Sequence, residues 1–543
     1  LQKVVGVGQT VPEFSFAEYM RWFVTLVLVL GIAQVQAAAR APVYEPARVT
    51  PPEPMREFRG AWVPTVNNIV WPLKKGLSTA EQKAELVAIM DRAAALGLNA
   101  LLLQIRPACD AFYASRLEPW SEYLTGTMGR APEPFYDPLA FAIEEAHKRR
   151  LELHAWFNPF RALHASARSP VASNHISRTR PELVRKYGNQ LWLDPGEPDA
   201  RAHALAVVLD VVRRYDIDGV HFDDYFYPYP EKNSSGRVIE FPDEPSWTRF
   251  GTRTGLSRAD WRRQNVNMFI EEVYRSIKAV KPWVKFGISP VGIWQSGAPS
   301  QIRGLDSYSG LYADARAWLQ NGWVDYLAPQ LYWQINAREQ SFPVLLRWWS
   351  EQNVRNRYLW PGLYTAKVGE PWPADELLNQ LRLVRAQPGA TGHIHYHIGL
   401  LMNNGSGLAD ALRTNLYRQT ALVPALSWSS AVRPVRPAVG ITATSTNVHV
   451  TVQPAQNNPS TLWLWVVQTK RGSEWKTEIF PATARTFALP SPAPDVICIR
   501  QIDRFGNASP VVGYQRKPAI MKPKPARFEP RPGAELLRPG AVR

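Results

Sequence analysis

Apolar positions in this chain recur in two alternating rhythms between residues 58 and 417. Runs of extended character are FRGAWV (58–63), NALLLQIR (99–106), ELHAWFNPF (152–160), GVHFDDYF (219–226), KFGISPVGIW (285–294), VDYLAPQLYW (324–333), LWPGLYTA (359–366) and HIHYHI (393–398). The stretches between and after them place apolar residues at i, i+3, i+4 and i+7, the mark of amphipathic helices. These are 78–98, 138–150, 199–215, 259–280, 312–322, 343–352, 374–387 and 408–417. The first carries the helix-start signal Ser78-x-x-Glu81 and reaches Gly97 near its end. Eight strand–helix pairs over about 360 residues predict an α/β fold, a (β/α)8 TIM barrel spanning 56–425. A doubly wound open sheet is the alternative, but no glycine-rich dinucleotide loop follows the first strand.

Past residue 425 the period changes to two. GITATSTNVHVTVQPAQ, TLWLWVVQTKRG, WKTEIFPATARTFALP and DVICIRQIDRFGNASP alternate apolar and polar residues between Pro, Gly and Asn punctuation. They predict a small all-β sandwich of the immunoglobulin or fibronectin type over 430–515. Residues 516–543 form a basic, Pro-rich tail expected to be disordered. At the other end, MRWFVTLVLVLGIAQVQAAAR (20–40) has the basic start, short apolar run and small residues of a secretory signal, with cleavage expected after Ala37. Residues 1–37 are therefore read as upstream sequence plus signal, and 38–55 as a Pro-rich linker. The expected destination is the periplasm or cell envelope. The apolar run is short for a membrane span, and no cysteine follows it to accept a lipid.

Composition adds two constraints. Aromatic residues make up 11% of the chain, a supply of flat apolar rings that suits sugar faces as well as cores. The net charge of +16 is spread along the sequence, with no zinc-finger spacing or RNA-binding signature. An anionic envelope polymer or a membrane surface explains the charge as well as nucleic acid does, and no nucleic-acid partner is expected. Cys109 and Cys498 cannot build a disulfide framework, and no cysteine spacing suggests a metal; no cofactor is expected.

In such a barrel, functional groups collect at the C-terminal ends of the strands. Those ends are polar here: Gln104, Arg106 and Asp110; Trp156, Asn158 and Arg161; His221, Asp223, Asp224, Tyr225 and Tyr227; Ser289 and Trp294; Gln330, Tyr332 and Trp333; Tyr364; His395 and His397. The opposite ends (Asn99, Glu152, Lys285, Val324) look duller. Period two on the fourth strand turns His221 and Asp223 toward the barrel axis and Val220 and Phe222 toward the helices, leaving Asp224 at the rim. Repulsion between adjacent carboxylates keeps one protonated near neutral pH, and an acid beside a base is what glycosidic cleavage requires. A structural reading competes, in which one aspartate caps a loop and Arg106 or Arg161 neutralises the other.

Six segments, REFRGAWVPTVNNIVWP (56–72), LNALLLQIRPACDAFY (98–113), LHAWFNPFRA (153–162), DGVHFDDYFYP (218–228), FGISPVGIW (286–294) and VDYLAPQLYW (324–333), resemble glycosyl-hydrolase-like family 10 of bacterial envelope proteins. IDRFGNASP (502–510) resembles the end of a fibronectin type III domain. The family resemblance implies a barrel glycosidase acting on peptidoglycan glycan strands, including strands stripped of stem peptides, during wall remodelling or division. The sandwich could then contact envelope or division proteins. DGVHFDDY and LAPQLYW are also similar to chitinase-like barrels, which use the substrate's N-acetyl group as nucleophile; here Tyr225 stands where their signature ends in glutamate.

On this reading Asp224 is the general acid and Asp223 orients it or stabilises positive charge near His221. Gln330 and Tyr332 hold an N-acetyl group, and Arg106, Asn158 and Arg161 bind hydroxyls or a muramic carboxylate. Trp156, Trp294, Trp333, Tyr227 and Tyr364 stack on sugars, with His395 and Tyr225 as further contacts. Asp110 or Glu118 is held in reserve as a second carboxylate. Two other classes stay open: a carbohydrate-binding barrel without catalysis, and a metal-dependent hydrolase using His393, His395 and His397 with His221 and Asp223.

Overall fold

The computed structural model describes residues 41–429, 432–455 and 461–518. The expected secretory signal and the tail from residue 519 lie outside the described residues.

Eight parallel strands close into a barrel: β1 (Phe58–Val63), β2 (Ala100–Arg106), β3 (Glu152–Phe157), β4 (Gly219–Phe222), β5 (Lys285–Ile288), β6 (Tyr326–Leu327), β7 (Tyr358–Leu359 with Gly362–Leu363) and β8 (Gly392–His395). Pairing runs β1 to β7 in order, and β8 returns to β1 with Gly392 opposite Phe58. β7 is in two pieces because Pro361 has no N–H for the ladder. The first piece pairs with β6 and the second with β8, so the sheet closes through this break. The main outer helices are α1 (Thr79–Leu96), α2 (Pro138–Lys148), α3 (Pro198–Arg214), α4 (Arg258–Val280), α5 (Ala315–Asn321), α6 (Phe342–Gln352), α7 (Ala374–Ala386) and α8 (Leu408–Ala411). The start signal of α1 works as read: Ser78 accepts from the Glu81 N–H, Glu81 accepts from the Ser78 N–H, and Gly97 ends the helix at φ 82°.

Alternation along each strand divides two apolar layers. Outward residues such as Leu101, Leu103, Ala155, Phe157, Val220 and Phe222 pack on the helices, with Phe222 stacked on Phe269 of α4 at 5.9 Å. Inward residues build an aromatic barrel core of Phe58, Trp62, Tyr326 and Trp360, with Phe58 stacked on Trp360 at 3.7 Å. Gly287 makes room for it: a Cβ there would lie 2.1 Å from the Tyr326 ring.

The N-terminal ends of the strands are not dull. Glu152 accepts from Lys285 at 2.8 Å, and Asp218 pairs with Arg504 at 3.0 Å, all four side chains being buried. Arg504 belongs to the C-terminal domain, as does Trp463, whose ring meets His147 of α2 at 4.7 Å. That domain is an antiparallel two-sheet sandwich docked against this end of the barrel. One sheet contains β9 (Ala438–Ala443), β10 (Val448–Gln453) and β13 (Thr486–Leu489); the other contains β11 (Leu462–Arg471), β12 (Glu474–Pro481), β14 (Val496–Asp503) and β15 (Val512–Arg516). The Pro-rich lead is more than the linker expected over 38–55. Tyr44–Pro46 adds an edge strand to β15, with Tyr44 opposite Arg516. Among the described residues, no helix is long and apolar enough to cross a membrane.

Candidate active site

The C-terminal strand ends open into a cleft of about 450 Å³. Every strand or the turn after it contributes: Trp62 and Asn67 from β1, Gln104 from β2, Trp156 from β3, Asp223 and Asp224 from β4, Ser289 from β5, Gln330 and Tyr332 from β6, Tyr364 from β7, and Tyr396 from β8. Arg161, His164 and Tyr225 also line the cleft.

The aspartates are 3% and 4% exposed. Asp223 Oδ2 accepts from Trp156 Nε1 at 3.1 Å and Asn158 Nδ2 at 3.3 Å. Asp224 Oδ2 accepts a hydrogen bond from the Tyr229 hydroxyl, and the Gln330 side chain donates to the same carboxyl. Burial, followed by the neighbouring Asp224 charge, pushes Asp223 up to about 7. Burial also raises Asp224 above the usual carboxylate range, against the pull of its hydrogen bonds. Because the two interact, one proton belongs to the pair, and the pair retains it near neutrality. Arg161 supplies positive charge, lying 5.0 Å over the Tyr225 ring and donating from Nε to the Pro107 carbonyl at 3.0 Å. His164 is driven down to about 4 by burial and then by Arg161, so it is neutral at pH 7. Tyr332, Tyr364 and Tyr396 form an aromatic cluster, with Tyr332 4.8 Å from Tyr364 and 5.4 Å from Tyr396.

Residues 57–378 match the family described as glycosyl hydrolase-like 10. The glycosyl hydrolase YngK of Bacillus subtilis (strain 168) is 43% identical over 395 residues, 70% of this chain and 76% of that protein. The glycosyl hydrolase DigH of Escherichia coli (strain K12) is 34% identical over 390 residues, 65% of this chain and 86% of that one. A solved structure, the PgaB (BpsB) glycoside hydrolase domain from Bordetella bronchiseptica, has TM-score 0.44 and 15% identity, covering 66% of this chain and 98% of that one. This chain belongs to glycosyl hydrolase-like family 10. Membership supports a glycosidase-type function.

Eight of the residues expected from the sequence line the cleft of this family member: Trp156, Arg161, Asp223, Asp224, Tyr225, Gln330, Tyr332 and Tyr364. Eight do not. Arg106 is turned into the layer behind the site, where it grips Glu118 (Nε to Oε2, 2.8 Å) and the Asn158 carbonyl. The cause is a β-bulge: Gln104 pairs with Trp156 but Arg106 pairs with Phe157, so one extra residue reverses the parity. Asp110 is buried, accepting from the Ala108 N–H at 2.9 Å, and Glu118 is neutralised by Arg106, which removes both reserve carboxylates. Asn158 acts one layer back, on Asp223. His221 is inside the barrel beneath the cleft. It meets Trp62 Nε1 at 3.0 Å and the Tyr326 hydroxyl at 3.0 Å, and burial keeps it neutral.

Tyr227 packs edge-on against Phe241 and Tyr312. Trp294 donates to Asp314 and stacks on Trp348. Trp333 is half-buried and packs on the apolar layer between strands and helices. His393 and His395 face outward to the Tyr417 hydroxyl, on the opposite side of the sheet from His221. Among the described residues, no group of three metal-ligating side chains comes together. Trp62, Tyr229 and Tyr396 were missed. Parity on β1 and β8 would have found Trp62 and Tyr396; Tyr229 lies in an irregular loop where no period applies.

Proposed function

We propose that this chain is a glycoside hydrolase that cuts β-1,4-linked N-acetylated glycan strands of peptidoglycan in the cell envelope. The observation that carries the reading is the Asp223–Asp224 pair, protonated once near neutrality, at the floor of an aromatic cleft. Asp224, hydrogen-bonded by Tyr229 and Gln330, delivers its proton to the glycosidic oxygen. Asp223 shares that proton and stabilises positive charge at the anomeric carbon.

Carboxylate placement favours an N-acetylated substrate. A second carboxyl across the sugar, roughly 5–9.5 Å away, is what retaining or inverting hydrolysis by two acids needs. Among the described residues the cleft lining contains only two carboxylates, and they are adjacent in sequence. The substrate's own N-acetyl oxygen then attacks the anomeric carbon as the leaving oxygen takes the Asp224 proton. Water opens the resulting ring and returns a proton to Asp224. Tyr332 and Gln330 hold the acetamide, Arg161 faces a lactyl carboxylate or hydroxyls, and Trp62, Trp156, Tyr364 and Tyr396 offer ring faces to sugars.

Mass spectrometry of products from denuded glycan strands tests this, because it reports bond cleavage and linkage together. New reducing ends at one linkage are expected; co-sedimentation without cleavage would instead make the protein a glycan-binding barrel. The proton on the pair is lost as pH rises through about 7. Accordingly kcat/KM should be highest while the pair holds one proton and fall about tenfold per unit above that point. A rate still rising at pH 9 would exclude the aspartate pair as the acid.

A further inference from the structure

A groove larger than the catalytic cleft lies away from it, where the N-terminal lead, the segment after the barrel and the β14–β15 edge of the sandwich meet. It measures about 1210 Å³ and is lined by Arg48, Arg56, Arg433, Arg436 and Arg500, against the lone carboxylate of Glu53. Arg56 is occupied, donating to the Val423 carbonyl at 3.0 Å and the Gly506 carbonyl at 2.9 Å. Arg500 is nearly buried, holds both oxygens of Glu53 at 2.9 Å through Nη1, and leaves its Nε without a hydrogen-bond partner. Arg48, Arg433 and Arg436 are exposed. They make no ion pair among the described residues.

A buried guanidinium nitrogen without an acceptor is costly, and unpaired like charges around one groove repel. The second penalty is relieved by a ligand carrying several oxyanions. The groove already seats one, the exposed carboxylate of Glu53, and a guanidinium's planar fork matches that geometry. The lining contains no tryptophan, tyrosine or phenylalanine, so the groove reads charge rather than sugar faces.

We infer that this groove is a second, non-catalytic binding site for an acidic glycan whose carboxylates repeat along the chain. The groove's preference for carboxylates stands on its own residues; naming the polymer as the wall glycan rests on the proposed function. Holding the polymer on the sandwich would keep the barrel on one strand between cuts, since a tethered second contact raises local concentration.

The test uses the full chain and the charge reversal R48E/R433E/R436E. Co-sedimentation is measured with denuded sacculi, and with the same sacculi after carbodiimide amidation of their carboxyls. Wild type should bind the untreated sacculi at least ~10-fold more tightly than the triple variant, with the difference shrinking as salt is raised. Amidation should abolish that difference. Polygalacturonate should compete for the wild-type groove, and a single-stranded DNA oligonucleotide of equal charge should compete less well. Both proteins should melt at the same temperature and treat short neutral N-acetylglucosamine oligomers alike. Equal sacculus binding by variant and wild type, a difference that survives amidation, or tighter competition by the oligonucleotide would overturn the inference. Loss of cleavage by wild type would sink the proposed function and leave this binding difference standing.

Discussion

Asp224→Asn should lower the release of reducing ends from glycan strands by about 10²–10⁴-fold with the fold intact, since the variant removes the proton donor but keeps the shape. The amide oxygen still accepts from Tyr229, so the loss should appear in kcat with KM little changed. Asp223→Asn should behave differently. It removes a like charge and leaves Asp224 to titrate alone, so the upper limb of the pH–rate profile should move below about 7. Stability gives an independent sign. A carboxyl whose folded-state affinity for a proton is raised binds it more tightly than the unfolded chain does. Its contribution is therefore lost as pH climbs from the ordinary range near 3.8 through about 7. Asn at 223 removes that loss, so the variant should melt higher than wild type at pH 8 and no higher at pH 4. Near-normal turnover in both variants would end the assignment of the pair. Because both residues hold the same proton, the double variant should be little worse than the weaker single one.

Arg106→Met should unfold more easily by about 3–5 kcal/mol, the usual consequence of stripping one partner from a buried ion pair. Glu118 is held down to about 2 because the Arg106 charge and then hydrogen bonds from His203 and Arg106 overcome its burial. That stability is present above the carboxylate's ordinary 4.5 and disappears as pH falls through about 2. In the variant Glu118 regains its burial penalty, so the deficit should be largest near neutral pH and shrink on acidification. Urea melts at pH 7 and pH 4 separate this from simple loss of packing, which would be the same at both. The double variant Arg106→Met/Glu118→Leu should recover much of the loss, because removing both partners leaves no buried charge unpaired. A sugar-binding arginine would instead leave stability unchanged and raise KM.

The strand and helix pattern, the capping of α1 and the inward turn of Asp223 were readable in the sequence because each depends on local periodicity or on neighbours within a few residues. The aspartate pair could be found because its charges are adjacent in the chain. What failed was nonlocal. One inserted residue in β2 turned Arg106 from the cleft to the layer behind it, and no period in the sequence marks a bulge. His395 had the parity to face Tyr417 rather than the barrel axis, yet three alternating histidines looked like a site until the sheet showed which side they occupied. Glu152 and Lys285 look dull as strand starts; with Asp218 and Arg504 they form a buried charge cluster where the sandwich closes over the barrel's lower end. The sequence by itself therefore determined the barrel, its polar rim and its acid pair. Only the tertiary structure decided which rim residues share the cleft, since that choice depends on strand register and domain docking, which bring together groups separated by hundreds of residues.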